Sequence, residues 1–422
     1  MKRTSEISGF YKLNPEERLE AVRDRVALTE QEVKTLRSMG GLNLDLANRM
    51  VENVIGAIAV PLGIAVNFLV NGKDYLVPMA IEEPSVVAAA SNAAKMARVK
   101  GGFTTSNTGP VMIGQIQAVD IADPYGARMA ILAAKEEILE RANKQDPMLV
   151  SLGGGVKDLD VKVIETFRGS MVITELHVDC RDAMGANVVN TMAEAVAPIV
   201  ERASEGRVLL RIISNLADKR LVRSKAIIAK EAVGGHNVVE GIIQAYAFAA
   251  ADPYRCATHN KGIMNGIVAV ALATGNDTRA LESGAHAYAA RNGVYSPLTV
   301  WETNKDGDLV GSIELPLAVG LIGGATAVHP VAKACLKILG VQSATELAEI
   351  MASVGLAQNL AALRALAVEG IQRGHMKLHA RNIAVMAGAS GDLIDKVAQA
   401  MIEERGVRMD RAKELLKKLK SG

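Results

Sequence analysis

The hydrophobic residues between positions 110 and 215 follow a pattern that few folds can satisfy. Alternating apolar residues predict strands, and apolar residues three and four positions apart predict helices. In chain order the predicted elements are a strand from Val111 to Asp120, a helix from Pro124 to Ala142, strands from Val161 to Phe167 and from Met171 to Val178, a helix from Ala186 to Arg202 and a strand from Val208 to Ile213. Arg168-Gly169-Ser170 is typical of the turn of a hairpin. This order predicts the ferredoxin-like, split β-α-β plan with an antiparallel sheet, not a doubly wound sheet.

The rest of the chain lies on both sides of this unit. A chain of 422 residues is too long for one ordinary hydrophobic core, so several folding units are expected. Residues 1–109 and 216–370 are rich in Ala and Gly and carry helical patterns, one of them from Gly340 to Val368. We interpret them as one larger, mostly helical domain into which residues 110–215 are inserted. Residues 371–422 are too few to bury much of a core and predict a small helical appendage that can move. The fold class is therefore α+β.

Composition argues against several kinds of partner. Lys and Arg total 48 and Asp and Glu total 46, so no overall charge attracts nucleic acid or an anionic membrane. The apolar stretches are short and broken by Gly and Pro, whereas a membrane span needs roughly 20 apolar residues. The first residues carry no signal-peptide pattern, and we expect a cytoplasmic protein. Cys180, Cys256 and Cys335 are widely spaced and form no Cys-x-x-Cys pair, which predicts buried thiols rather than disulfides or a zinc site.

Two Gly-containing segments are candidate phosphate cradles. The sequence has no Gly-x-Gly-x-x-Gly after a strand and no Gly-x-x-x-x-Gly-Lys-[Ser/Thr] loop. Asp182-Ala-Met-Gly-Ala-Asn187 lies where a predicted strand gives way to a helix, so free amides and the positive end of the helix dipole could bind a pyrophosphate. An ordinary capped turn explains the same residues. Gly320-Leu-Ile-Gly-Gly-Ala-Thr326 allows close backbone approach, for a ligand or simply for tight packing.

Three charged residues stand in apolar or Gly-rich surroundings. Glu83 belongs to Met79-Ala-Ile-Glu-Glu-Pro-Ser-Val-Val-Ala, where one of two neighbouring carboxylates could equally be solvated. Lys261 belongs to His259-Asn-Lys-Gly-Ile-Met-Asn-Gly, a setting more typical of an electrophile or anion-binding group than of a surface charge. Asp277, in Gly275-Asn-Asp-Thr, could pair with that lysine or could only form a turn.

His375 and His379 are four residues apart, which places two imidazoles on one face of a helix. This spacing can bind zinc. However, Met376 stands where a His-Glu-x-x-His motif has its glutamate, and no third ligand is evident. We therefore predict no metal and favour acid catalysis by one of the histidines.

Taken together, these segments resemble the class II 3-hydroxy-3-methylglutaryl-coenzyme A reductases. The resemblance extends over nearly the whole chain, and its motifs occur in the family's order with family-like spacing. The motifs that carry it are Glu52-Asn-Val-Ile-Gly56, Ile81-Glu-Glu-Pro-Ser85, Asp182-Ala-Met-Gly-Ala-Asn187, Thr258-His-Asn-Lys-Gly-Ile-Met-Asn-Gly266, Ala273-Thr-Gly-Asn-Asp277, Gly323-Gly-Ala-Thr326 and Gly374-His-Met.

The resemblance implies a role for each of four residues. The family reduces a thioester to mevalonate and coenzyme A by two hydride transfers through mevaldehyde. Lys261 matches the lysine that stabilises the developing oxyanion, and Glu83 matches the proton donor. Asp277 matches the aspartate that hydrogen-bonds both of them. His375 matches the histidine that protonates the departing thiolate, whereas the role of His379 stays open.

The resemblance also implies binding residues. Ser85, Arg255 and Asn265 match positions that contact the acyl part of the substrate, and the Arg255 guanidinium would pair with a carboxylate there. The positions that match cofactor contacts are Asp182, Met184, Gly185, Asn187, Gly323, Gly324 and Thr326. Asp146 matches an acidic residue that meets the adenosine ribose in NAD-using members, and a carboxylate there accepts from a 2′-hydroxyl and repels a 2′-phosphate. We therefore expect NADH to be preferred, with NADPH possible.

Family members resemble one another in forming homodimers with the active site at the interface, and the dimers join into larger rings, so a homodimer and a hexamer are implied here. The closure of residues 371–422 would bring His375 to the site and exclude water. Three other interpretations stay open on the residues alone: a reductase of another branched acyl-coenzyme A, a nucleotide-binding scaffold without catalysis, and a metalloenzyme built on His375 and His379.

Overall fold

The first flank of the chain supplies three strands and four helices to a larger unit. The structure is a computed structural model that describes residues 4–39, 41–368, 380–404 and 406–421. After a 3₁₀ turn at Phe10–Lys12, the elements are α1 (Pro15–Val26), α2 (Glu30–Arg37), α3 (Leu44–Met50), β1 (Leu62–Val70), β2 (Lys73–Ala80), α4 (Val86–Arg98) and β3 (Phe103–Asn107). Helix α1 begins where it does because Asn14 and Glu17 form a capping box and Pro15 occupies the first helical position.

The middle of the chain forms a four-stranded antiparallel sheet covered on one face by helices. Its elements are β4 (Val111–Val119), α5 (Pro124–Ala133), α6 (Lys135–Asn143), α7 (Pro147–Ser151), β5 (Gly155–Thr166), β6 (Gly169–Asp179), α8 (Ala186–Ser204) and β7 (Arg207–Ile213). The strand order is β5-β6-β4-β7, with every pairing antiparallel. The predicted element order and the antiparallel sheet are thus confirmed.

Two details of the prediction for this unit are wrong. The single helix expected from Pro124 to Ala142 is interrupted at Ala134, whose ψ of 6° departs from helical geometry, and α7 is an additional short helix. The hairpin turn consists of Phe167 and Arg168, because the ladder already closes with Thr166 opposite Gly169. Alternation of apolar residues locates strands well but does not fix their ends.

The second flank completes the larger unit. Its elements are β8 (Leu221–Ile228), α9 (Lys230–Val233), α10 (His236–Ala251), α11 (Pro253–Ala273), α12 (Thr278–Ala289), β9 (Thr299–Thr303), β10 (Leu309–Pro316), α13 (Gly324–Val328), α14 (Pro330–Leu339) and α15 (Ala344–Val368). Strands from both flanks form one six-stranded sheet of order β2-β1-β3-β8-β10-β9, antiparallel except between β1 and β3. The prediction of a mostly helical domain did not include this sheet. Of its two central strands, β3 is short and mostly polar, and β8 carries Arg223 and Lys225 between its buried residues.

Helix α15 is the central helix of the larger unit. It is long and apolar enough to cross a membrane by length and composition, but 67% of its most apolar window is buried inside the protein. Its residues belong to the same hydrophobic cluster as side chains of α4, α11 and β8. We therefore describe it as a core helix. It is the single helix of this kind among the described residues.

The C-terminal region has a hydrophobic cluster of its own. Its described elements are α16 (380–386), α17 (Asp392–Glu403) and α18 (Met409–Ser421). Val397 and Met401 of α17 pack with Leu415 and Leu416 of α18, and every residue of the cluster comes from this region. The expectation of too little core is therefore wrong in part, since amphipathic helices bury one apolar face against each other.

Candidate active site

A short turn after β2 presents the predicted acid. Glu83 lies three residues beyond the end of β2, and Ser85 immediately precedes α4 with a φ of 74°. Positive φ is uncommon for a residue with a side chain and costs roughly 1–3 kcal/mol, so the fold holds this turn against a local preference. The Ser85 hydroxyl makes no hydrogen bond within the part of the chain that the structure describes. The turn therefore presents the Glu83 carboxyl and one available hydroxyl.

Helix α11 brings the predicted lysine to this turn. The Lys261 Nζ atom lies 2.7 Å from Glu83 Oε2, and the Asn265 side-chain amide donates to the same oxygen at 3.4 Å. Lys261 and Asn265 are four residues apart and share one face of the helix. The Lys261 side chain is 60% exposed and that of Glu83 is 34% exposed, so both are accessible to a ligand. Three of the predicted residues thus form one group, which we call the Glu83–Lys261 cluster.

Asp277 lies elsewhere in the same chain. It caps the start of α12 through the amides of Arg279 and Ala280, and the Arg279 guanidinium binds both of its oxygens at 2.9 Å. The hydrogen bond from Arg279 lowers the pKa of the Asp277 carboxyl. The amide of neighbouring Asn276 bonds the carbonyl of Ala271, ten residues beyond Lys261 along α11. At 1.5 Å per residue this is about 15 Å, so a single chain does not pair Asp277 with Lys261.

Arg255 is a half-buried cation at the beginning of α11. Burial lowers the pKa of its guanidinium, and no carboxylate pairs with it in the described residues. Its backbone amide is fixed by the carboxylate of Asp252, which caps the helix at 2.7 Å. An unpaired, partly desolvated guanidinium attracts a carboxylate from a ligand more strongly than a fully hydrated one does.

His259 is a buried residue that the sequence analysis did not single out, although it lies within the Lys261 motif. Its Nε2 atom is 2.7 Å from Thr299 Oγ1, whose hydroxyl donates to Asn359 Oδ1 at 2.9 Å. The Nδ1 atom is buried and has no hydrogen-bond partner among the residues that the structure describes. Burial, and to a smaller extent the nearby Arg255, lowers the pKa of His259 to about 4. The imidazole is therefore neutral at pH 7 and fixes the helix that carries Lys261.

The first candidate cofactor segment, residues 182–187, has the predicted strand-to-helix geometry. Gly185 precedes α8 with a φ of 113°, and no side chain in the described part of the chain caps the first turn of that helix. A Cβ atom at Gly185 would lie 2.6 Å from Cys180 Sγ, so no other residue fits there without a shift. Asn187 is exposed and Met184 is half-buried, which leaves this end of the helix open to an anionic group. The Asp182 carboxylate instead accepts the Ala344 amide at the start of α15 at 2.8 Å.

The second candidate cofactor segment, residues 320–326, packs directly against the first. A Cβ atom at Gly320 would lie 2.7 Å from the Met184 backbone nitrogen, and the Gly320 amide donates to the side chain of Asn276 at 2.8 Å. The Thr326 hydroxyl is buried and donates to the carbonyls of Thr274 and Gly275. Gly323 and Gly324, by contrast, are exposed. The structure thus places Thr326 in a supporting position and presents the two glycines at the surface.

Asp146 caps the short helix α7. Its Oδ1 atom accepts the Leu149 amide at 2.8 Å, whereas Oδ2 has no partner in the described residues. The chain after α7 reaches the first cofactor segment, since the Arg181 side chain donates to the carbonyl of Gly153. One carboxylate oxygen of Asp146 is therefore available to a ligand.

Two further groups concern metal binding. His375 and His379 lie outside the described residues. Asp160, Glu175 and His177 have ligand atoms within 4.8 Å of one another on the sheet of the smaller unit. The Lys162 ammonium already lies 2.6 Å from Glu175 there, so a cation of the chain itself neutralises part of this cluster.

The comparisons agree with this geometry. Residues 14–380 match the family model described as Hydroxymethylglutaryl-coenzyme A reductase. A 3-hydroxy-3-methylglutaryl-coenzyme A reductase of Archaeoglobus fulgidus is 62% identical over 418 residues, which cover 99% of this chain and 95% of the relative. The fold matches 3-hydroxy-3-methylglutaryl-coenzyme A reductase from Streptococcus pneumoniae with a TM-score of 0.83 at 41% identity, over 98% of this chain and 99% of the other. It also matches the class II enzyme of that organism bound to NADPH in open conformations, with a TM-score of 0.81 at 41% identity, over 97% and 100% of the two chains.

Proposed function

Because the chain belongs to the hydroxymethylglutaryl-coenzyme A reductase family, we propose that it reduces 3-hydroxy-3-methylglutaryl-coenzyme A to mevalonate and coenzyme A. Two molecules of reduced nicotinamide supply the two hydrides, with mevaldehyde held between the steps. The observation that carries this proposal is the 2.7 Å contact between Lys261 and Glu83, a cation and an acid on accessible side chains. We further propose a soluble, cytoplasmic enzyme of mevalonate metabolism.

The Glu83–Lys261 cluster supports the chemistry of a carbonyl reduction. Negative charge develops on the carbonyl oxygen as hydride is added, and the Lys261 ammonium beside that oxygen stabilises it. Glu83 then supplies the proton that converts the oxyanion into an alcohol. Asn265 holds the Glu83 carboxyl in place through its amide. The unpaired Arg255 guanidinium and the Ser85 hydroxyl are proposed to bind the acyl part of the substrate.

We assign the protonation of the departing coenzyme A thiolate to His375. Protonation prevents the thiolate from adding back to the mevaldehyde carbonyl, and imidazole has a suitable acidity near neutral pH. Residues 371–422 are proposed to close over the site and to bring His375 there. Support comes from the separate hydrophobic cluster of the C-terminal region, which allows it to move as a unit.

The proposed cofactor site uses the two segments that pack at the domain junction. The open first turn of α8 and the exposed Gly323 and Gly324 suit a pyrophosphate. We propose that Asp146 Oδ2 accepts from the ribose 2′-hydroxyl and favours NADH, with NADPH as a weaker alternative. The NADPH bound to the similar Streptococcus pneumoniae enzyme makes this preference a matter for experiment.

A second copy of the chain is proposed to complete the active site. The segment from residue 51 to 61 is exposed and apolar, with Ile55 100% and Ile58 95% exposed. It leads to the catalytic turn, since the Ile81 amide donates to the Pro61 carbonyl. Such a patch is typical of an interface between subunits. We propose a homodimer in which the Asp277 of one chain reaches the Glu83–Lys261 cluster of the other, and dimers that assemble further into a hexamer.

The activity is tested by mixing the purified protein with the thioester and either NADH or NADPH. We expect two nicotinamides to be oxidised for each thiol released, with mevalonate as the product. No oxidation with either cofactor would refute the proposal. Oxidation with another branched acyl-coenzyme A, but not with this one, would instead support the related reductase.

The shared site is tested by subunit mixing. Lys261→Met and Asp277→Asn chains are each expected to be inactive, but random dimers of the two restore about a quarter of the activity, because half of the dimers contain one intact site. The matched control mixes Lys261→Met with Glu83→Gln. These residues belong to one cluster of one chain, so no mixed dimer has an intact site and no activity returns. Equal recovery in both mixtures would contradict the arrangement.

A further inference from the structure

Arg220 is a buried arginine whose guanidinium hydrogen-bonds to backbone carbonyls. It lies between β7 and β8, on the stretch of chain that returns from the smaller to the larger unit, and is only 3% exposed. Its guanidinium donates to three backbone carbonyls, of Ala183 at 3.1 Å, of Met184 at 3.2 Å and of Val319 at 2.6 Å. No carboxylate hydrogen-bonds to it in the described residues. Burying a charge in this way is costly, so the position requires an explanation.

Two of the three carbonyls belong to the first proposed cofactor segment, and the third immediately precedes the second segment. Ala183 and Met184 belong to the segment that leads into α8, and Val319 directly precedes Gly320. The same two segments meet through a parallel bridge between Ala183 and Ile322 and through the Leu321 amide, which donates to the Asp182 carbonyl at 2.9 Å. One guanidinium therefore joins both segments at the junction of the two units.

The charge of Arg220 lies behind the open end of α8. Burial lowers the pKa of the guanidinium, but arginine stays protonated in proteins at neutral pH. Two of its carbonyl partners, Ala183 and Met184, immediately precede Gly185, after which the uncapped amides of the helix begin. A fixed positive charge at this place adds to the helix dipole and attracts an anionic group to those amides.

We propose that Arg220 is a positioning residue for the nicotinamide cofactor, which holds the two cofactor segments in register and places a positive charge behind the amides that bind its pyrophosphate. The proposal rests on the proposed function of these segments. A purely structural arginine would support the fold without any selective effect on the cofactor. The two roles therefore differ in which Michaelis constant changes.

The test compares Arg220→Ala and Arg220→Lys with the natural protein. For Arg220→Ala we expect KM for NADH to rise at least about tenfold, while KM for the thioester stays within about twofold. Arg220→Lys keeps the charge but cannot reach three carbonyls. Its KM for NADH should lie between that of the natural protein and that of Arg220→Ala. Ethylguanidinium added to Arg220→Ala should restore cofactor affinity, because it fills the vacated space with the same donor group.

The matched control is Arg98→Ala, which removes a partly buried arginine that binds Asp74 at 2.7 Å in the larger unit. It should lower the melting temperature and leave KM for NADH unchanged. If Arg220→Ala does not fold, the KM values of Arg220→Lys decide. An unchanged KM for NADH in a folded Arg220 variant, or an equal rise in both KM values, overturns the proposal.

Direct titration with NADH separates this inference from the proposed function. The fluorescence of NADH reports binding without any turnover. If the natural protein binds NADH but does not reduce the thioester, the proposed reaction fails and the role of Arg220 can still be measured. If neither NADH nor NADPH binds to the natural protein, both fail.

Discussion

The Glu83–Lys261 cluster and the two cofactor segments are built in opposite ways. The cluster consists of accessible side chains that bind one another, with Lys261 60% exposed. The cofactor segments consist of backbone held by the buried Arg220, by the half-buried Asn276 and by the bond from the Ala344 amide to the Asp182 carboxylate. The Glu83–Lys261 cluster presents its charges to a substrate or to a second chain. The second region is already shaped before any ligand binds, which lowers the entropic cost of binding.

This difference predicts different consequences of substitution. Changes in the cluster should affect turnover and leave stability almost unaltered, because an exposed ion pair contributes only about 0–1 kcal/mol. Changes behind the cofactor segments should lower stability and cofactor affinity together. The predictions that follow test this contrast.

The largest effect is expected for Lys261→Met. Loss of the cation beside the developing oxyanion should lower kcat by about a thousandfold or more, whereas the melting temperature should stay within a few degrees. Steady-state kinetics measures kcat, and calorimetry measures the melting temperature. The control is Lys225→Met, an exposed lysine of β8 that should change neither. A large loss of stability in Lys261→Met would break the contrast between the regions.

His259 is buried on the same helix that carries Lys261. It therefore tests whether burial, rather than position near the Glu83–Lys261 cluster, decides how much a residue contributes to stability. The folded protein keeps this imidazole neutral down to about pH 4, whereas the unfolded chain takes up a proton near pH 6.5. Between these values the unfolded state binds more protons, so the free energy of unfolding decreases as the pH falls. The decrease attributable to His259 is about 3 kcal/mol, and none is expected above pH 6.5.

Urea unfolding at pH 7 and pH 4.5 measures this dependence. His259→Gln keeps a donor towards Thr299 but cannot titrate, so its stability should fall less on acidification than that of the natural protein. Subtraction of the two profiles removes the contribution of the carboxylates, which are common to both. Identical profiles would mean that His259 does not titrate as its environment predicts.

Gly185→Ala examines the cofactor side. The left-handed backbone and the 2.6 Å approach to Cys180 Sγ predict a loss of about 2 kcal/mol in stability together with a higher KM for NADH. Gly323→Ala is the matched control, since its φ of 80° is also positive but nothing lies near the added Cβ. It should cost about 1 kcal/mol at most. Equal losses would show that the backbone angle alone, without the packing of Cys180, limits this segment.

The sequence allowed good prediction where structure depends on local periodicity. The strands and helices of residues 110–215, the turn at Glu83 and the glycines of the cofactor segments follow from neighbouring residues. Contacts between distant parts of the chain could not be predicted in this way. Arg220, Asn276 and the bond from Ala344 to Asp182 act across 36 to 162 residues, and no pattern of spacing reveals them. Asp277 shows the converse, since its motif was evident but the length of α11 separates it from Lys261 within one chain.

Asp146 combines both kinds of construction in one side chain and gives the smallest expected effect. Its Oδ1 atom is fixed by the Leu149 amide, whereas Oδ2 is available to a ligand. Asp146→Asn keeps an oxygen for the helix cap but removes the charge that repels a 2′-phosphate, so the ratio of kcat/KM for NADH to that for NADPH should fall by about tenfold at little cost in stability. Asp146→Ala removes the cap as well and should also destabilise the protein by about 1 kcal/mol. If the asparagine variant kept the natural ratio of cofactor efficiencies, Asp146 would be only a helix cap, and cofactor choice would have to be made by groups on the preorganised segments themselves.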